Sequence, residues 1–167
     1  MENITVKDSR VYALVAMYDM QSGLFFNALD GISDTDANKR LGSKVNHVAW
    51  LAGSLVQQRF EMAELFGKST EKQQADDLFK DMQGIQDGVT YPSLEQYRDD
   101  WQKITPVMRT AIIEAETETL DQIFDMGEGM TFTYFEMLYF MVYREANCIG
   151  QIALCRRLLG YDAMKYM

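Results

Sequence analysis

An all-α chain folded as a four-helix bundle, with a long crossover connection between the second and third helices, is predicted by three observations. Four stretches carry apolar residues at alternating three- and four-residue spacings, the repeat of a single helix face. Only two prolines and 11 glycines occur among 167 residues, of which 47% are hydrophobic. Helix-start signatures stand directly before two of the stripes. Four amphipathic helices bury such stripes most economically against one another.

The first helix is expected over about 8–30, where Val11, Val15, Tyr18, Ser22, Phe25 and Leu29 share a stripe and Asp30-Gly31 ends it. The second is expected from an N-cap at Ser43 to Gly67, along Val45, Val48, Ala52, Leu55, Met62 and Phe66. Arg59 interrupts that seam and is expected to reach its outer edge. Residues 68–91 are polar and acidic, with weak periodicity around Leu78, Phe79 and Met82, and are read as the crossover with one short helix. Ser93-Leu94-Glu95-Gln96 is a capping box opening the third helix, whose stripe is Leu94, Tyr97, Trp101, Ile104, Met108 and Ala111; Pro106 is expected to kink it. A second capping box, Thr133 to Glu136, opens a fourth helix that Gly160 stops. Its seam is Leu138, Met141, Glu145, Cys148, Ile152, Cys155 and Leu159.

Length and apolar content suit one domain over 1–167. A net charge of -9 and a pI near 4.6 repel polyanions, so nucleic acid is not an expected partner. The Arg156-Arg157 pair is explained by the dipole of a helix C-terminus. No run approaches 18 apolar residues and the first residues carry neither a basic leader nor an apolar stretch, which points away from a membrane and towards the cytoplasm. Cys148 and Cys155 lie seven apart on one helix, about 10 Å along its axis, too far for a disulfide; reduced, packed thiols are expected.

The run from Arg144 to Gly160, with its Gly150-Gln151-Ile152 and Arg156-Arg157-Leu158-Leu159-Gly160 parts, and the stretch Asn46-His47-Val48-Ala49-Trp50 occur in the order and spacing of a known family. The chain resembles the DinB/YfiT-like four-helix-bundle proteins. That resemblance spans nearly the whole chain and implies a homodimer whose divalent metal activates a low-molecular-weight thiol. In the family, two histidines four apart precede the Gly-Gln pair and a third comes from the His-x-x-Trp stretch. Here Arg144 and Cys148 stand at the paired positions, and His47 is the sole histidine.

This substitution alters the chemistry. A guanidinium has no lone pair to give and places a fixed cation where the family places a metal. His47 and Cys148 are the two remaining candidate ligands, with Glu145 rotated about 100° from Arg144 as an imperfect third. No metal is therefore expected, with zinc or nickel on a rearranged site as the alternative. The expected pocket consists of His47, Trp50, Arg144, Glu145, Cys148 and Gln151.

Each of these residues also has a purely structural reading. His47 is a hydrogen-bonded structural residue, a pocket group or a ligand, and Trp50 is a core anchor or a pocket wall. Arg144 is expected partly buried and paired, because an unpaired buried charge is too costly. Cys148 is a small buried hydrophobe or, with His47 as base, a reactive thiol. Gln151 is expected to cross-link helices through its amide, and Gly150 to permit close helix approach. The functional expectation is a DinB-like protein without the family's metal site that binds a small anionic or apolar molecule or serves in stress; the alternative is a metal-dependent thiol S-transferase with a rearranged site.

Overall fold

A computed structural model describes residues 4–42 and 44–166. The chain is largely α, as expected, with a two-stranded sheet that was not. Among the described residues, six α-helices, α1 (Tyr12–Leu29), α2 (Asp34–Ala37), α3 (Val48–Leu65), α4 (Leu94–Glu114), α5 (Thr117–Leu120) and α6 (Tyr134–Leu158), are accompanied by a hairpin of β1 (Ile123–Gly127) and β2 (Met130–Thr133). The four long helices pack in a closed cycle, α1 against α4 and α6, and α3 against α4 and α6. None of the described helices is long and apolar enough to cross a membrane.

The expected stripes face the interior, with Val45 of the second as the exception. Tyr18 and Phe25 on α1, Leu51, Leu55 and Phe60 on α3, Tyr97, Trp101, Ile104 and Met108 on α4, and Leu138, Met141 and Ile152 on α6 are almost fully buried in one cluster. Burying a side chain of this size contributes roughly 1.5–3 kcal/mol. Phe25 stacks on Trp101 at 4.1 Å between ring centroids, locking α1 to α4.

Helix ends follow the local chemistry. The Thr133 hydroxyl accepts from Glu136 N at 3.1 Å while the Glu136 carboxylate accepts from Thr133 N at 2.7 Å, the reciprocal box that starts α6. Ser93 caps α4 through Gln96 N, and Asp34 accepts from Leu94 N at 2.8 Å. Two helices close with Schellman motifs. Gly67 (φ 65°) follows α3, with Lys68 N donating to Ala63 O and Gly67 N to Glu64 O. Gly160 (φ 90°) follows α6, with Tyr161 N donating to Arg156 O and Gly160 N to Arg157 O. α4 runs unbroken through Pro106.

Three expectations about the elements need correction. The second helix begins at Val48 with His47 as its cap, because the imidazole supplies the acceptor for a first-turn amide; Val45 is exposed, and Ser43 lies outside the described residues. The crossover contains two 3-10 turns, Asp76–Leu78 and Lys80–Met82, since Asp81 and Met82 adopt positive φ that no α-helix admits. It is tied down by side chains: Gln73 Nε2 donates to Gly53 O and Gln57 Oε1, Gln57 Nε2 to Asp76 Oδ1, and Gln74 N to Asp100 Oδ2. The hairpin pairs Phe124 with Phe132, and its turn residues Glu128 and Gly129 both have positive φ, as a type I′ turn requires.

Candidate functional site

The centre of the molecule is a charge pair fully removed from water. Arg59 of α3 and Glu145 of α6 are each 0% exposed and joined by two parallel bonds, Nε to Oε1 at 2.6 Å and Nη2 to Oε2 at 2.8 Å. The remaining nitrogen, Nη1, donates to Ser22 Oγ of α1 at 3.0 Å and Thr105 Oγ1 of α4 at 2.7 Å. The guanidinium lies between the rings of Trp101 and Tyr18, at 3.4 and 3.9 Å from their centroids. Bidentate pairing, two hydroxyls and two aromatic faces together offset the desolvation of the cation. Arg59 therefore does not reach the outer edge of its seam; it sits at the point where all four long helices meet.

This arrangement separates the two neighbours expected to share a site. Glu145 turns inward to Arg59, while Arg144, about 100° further round the helix, reaches across to α3 and donates from Nη1 to Ser54 O at 3.2 Å and Gln58 Oε1 at 3.1 Å. Arg144 is half-buried as expected, but its partners are neutral; no ion pair joins it to a carboxylate of the described residues.

Arg144 forms one wall of a cleft of about 720 Å³ between α3, the crossover, β1 and α6. Its apolar surface comes from Trp50, Met62 and Leu65 of α3, Phe79 and Met82 of the crossover, Phe124 and Met126 of β1, and Met137 and Phe140 of α6. Ser54, Gln57, Gln58, Glu61, Glu64, Gln83 and Asp125 supply the polar rim. Glu64 is neutralised by Lys72. Although much of Glu61 is exposed at the lip, the surrounding walls push its carboxyl above the usual carboxylate range; the Gln57 amide, Lys72 and Arg144 pull the other way. The size and composition are those of a small-molecule site.

Of the six residues expected to share a pocket, Trp50 and Arg144 line this cleft and the others do not. His47 is buried in the turn before α3, where Nδ1 accepts from Trp50 N at 3.0 Å and the ring packs edge-on against Tyr91 at 4.8 Å. Burial, aided by the Arg40 cation, holds its imidazole below the ordinary histidine value. Cys148 is a buried free thiol whose pKa burial raises in spite of Arg144. Cys155 is likewise free and buried. Gln151 is exposed and bonds Asn147 on its own helix at 2.7 Å, and Gly150 has open space around it; neither joins two helices, because this side of α6 faces outward. The close-approach glycine is Gly53, whose absent Cβ makes room for Phe79 and Tyr97.

A zinc or nickel ion of the family kind does not fit these residues. His47 has one ring nitrogen engaged in capping α3, Arg144 is a cation, and among the described residues no group of three or more His, Cys, Asp or Glu side chains is placed to hold a metal. Arg156 is likewise structural: buried, it donates from Nη1 to the carbonyls of Asn27, Ala28 and Asp30 and from Nε to Asp162 O. The dipole it serves is that of α1 rather than of its own helix.

No protein-family model matches the chain, and no curated protein matches it. A solved structure described as "Crystal structure of the conserved protein of locus from Enterococcus faecalis" is similar, with a TM-score of 0.71 and 14% identity over 90% of this chain and 97% of that one. At that identity the likeness speaks for the fold alone.

Proposed function

We propose that the protein is a DinB-like four-helix bundle that has exchanged metal chemistry for the binding of a small, largely apolar molecule in the cleft between α3 and α6. The observation that carries this reading is the cleft itself: about 720 Å³, walled by Trp50, Phe79, Phe124 and Phe140 with four methionines, and held open around one cation. Methionine and aromatic walls adapt to varied apolar shapes. The family resemblance supports the bundle assignment, and the closed cycle of four helices agrees with it. Arg144 at a position where the family carries a ligand, and His47 engaged as a cap, support a site without zinc or nickel. A soluble cytoplasmic homodimer completes the reading, supported by an exposed apolar face on α6.

Titration with Nile red, a neutral apolar fluorophore, tests it. Saturable binding at one site per chain is expected, and Met137→Trp, which fills the cleft, is expected to abolish it. Binding unaffected by Met137→Trp in a folded variant would place the dye elsewhere and remove the basis of the proposal.

A further inference from the structure

We infer that the ligand is an amphipathic monocarboxylate, its carboxylate held by Arg144 and its apolar body lying along Phe140, Phe79 and the methionines. The inference rests on the reading of the cleft as a small-molecule site and adds the class of molecule. Arg144 is half-buried at the wall, and its hydrogen bonds to protein use Nη1 alone, to two neutral oxygens. Nε and Nη2 make no hydrogen bond to the described residues, and a planar fork of N–H groups is matched by a carboxylate accepting two parallel bonds.

The other buried arginines show what a satisfied guanidinium looks like here. Arg59 has a bidentate carboxylate, two hydroxyls and two ring faces; Arg156 has four carbonyls. Arg144 has neither, although it is the cation at an apolar wall of Trp50, Phe79, Phe124, Phe140 and the methionines. A charge beside such a surface is stabilised by an anion that brings apolar substance with it.

The rim limits that anion to one charge. Glu61 and Asp125 stand at the cleft, and Glu61 is near enough to Arg144 for the cation to act on its titration. A second negative group on the ligand would meet these carboxylates or lie unpaired against the Phe and Met wall, and either is unfavourable. A phosphate-bearing metabolite is disfavoured on the same ground, whereas a medium-chain or aryl-substituted carboxylic acid satisfies both parts of the cleft.

Calorimetric titration of the full chain with dodecanoate and dodecanol below their critical concentrations separates the parts. Dodecanoate is expected to bind about 10- to 100-fold more tightly than dodecanol, the worth of a charge-assisted hydrogen-bonded pair. Arg144→Gln should bring dodecanoate down to the affinity of dodecanol while leaving dodecanol binding unchanged, which also shows that the cleft is intact; Arg144→Lys should restore part of the difference. Equal affinities of the two compounds in the native chain, or an Arg144→Gln variant that keeps the preference, would overturn the monocarboxylate while leaving Nile red binding and the broader reading in place. Failure of every apolar probe, with self-association that Phe140→Ser removes, would assign the cleft to a second copy of the chain and overturn both.

Discussion

Arg59 and Glu145 carry more consequence than any other two side chains. Replacing Arg59 with Met leaves a carboxylate in the core without its partner, and the expected loss of stability is about 3–5 kcal/mol in urea unfolding. Arg59→Met/Glu145→Met removes both charges, and most of that loss should be regained, since an apolar pair of similar volume often replaces a buried ion pair without penalty. A double variant as unstable as the single one would show that the aromatic and hydroxyl contacts of Arg59, and not its charge partner, are the main source of stability. His47 leads to a pH prediction. Its imidazole is depressed in the folded chain by burial first and Arg40 second, so the unfolded chain takes up the proton more readily. Stability linked to this group is present above the ordinary histidine value near 6.5 and is lost as pH falls below it. Thermal unfolding between about pH 7.5 and 5.5 should show that loss in the native chain, and His47→Asn, which keeps a capping side chain, should flatten the curve.

Among the elements, α3 depends on Gly53 and α6 on its capping box. A Cβ at Gly53 would lie 2.2 Å from Phe79 Cζ and 2.7 Å from Tyr97 Cε1, both on buried rings. Gly53→Ala is expected to lower stability by about 1–3 kcal/mol, with part recovered in Gly53→Ala/Phe79→Leu, as measured by chemical denaturation. The long helices were legible in the sequence because each carries an apolar stripe, and α6 adds a recognisable signal at both ends, Thr133 to Glu136 and Gly160. The hairpin was not, because nearly all of β1 and β2 is exposed and no buried face imposes alternation on Ile123 to Thr133. The start of α3 was misplaced because histidine is an uncommon cap and the serine before it is a common one. The candidate site was legible only in part. Trp50 and Arg144 line the cleft, but its other walls come from α3, the crossover, the hairpin and α6, and no single-helix pattern connects Phe79 with Phe124 or Phe140. A signal for the buried pair was present: Arg59 and Glu145 both occupy seam positions on their helices, and two opposite charges at core positions call for each other.

For the molecule as a whole, surface chemistry is divided between charge and an apolar face. The net charge of -9 keeps copies apart at long range. Yet Tyr139, Tyr143, Leu154 and Leu158 are each about 60% exposed on α6, and Met17 and Met20 are exposed on the neighbouring α1. Exposed apolar side chains gathered on adjacent helices are a feature of interaction surfaces. Sedimentation equilibrium is expected to give a dimer, with Tyr143→Glu/Leu154→Glu shifting the protein to monomer without changing its helical circular dichroism. A native chain monomeric at tens of micromolar would reject the dimer, and the face would then need another explanation.

The meeting of all four long helices at one guanidinium also bears on how the chain acquires its structure. Ser22, Arg59, Thr105 and Glu145 are contributed by α1, α3, α4 and α6, so the last acceptor arrives only with the last helix. A partial assembly of the first three would enclose a cation without its counter-charge, and such a state is penalised relative to both the open chain and the complete one. Intermediates are thereby discouraged by the same residues that sit at the centre of the finished fold. Equilibrium unfolding followed by tryptophan fluorescence, which reports on Trp101 beside Arg59 and on Trp50 at the cleft, and by far-ultraviolet circular dichroism should give coincident transitions.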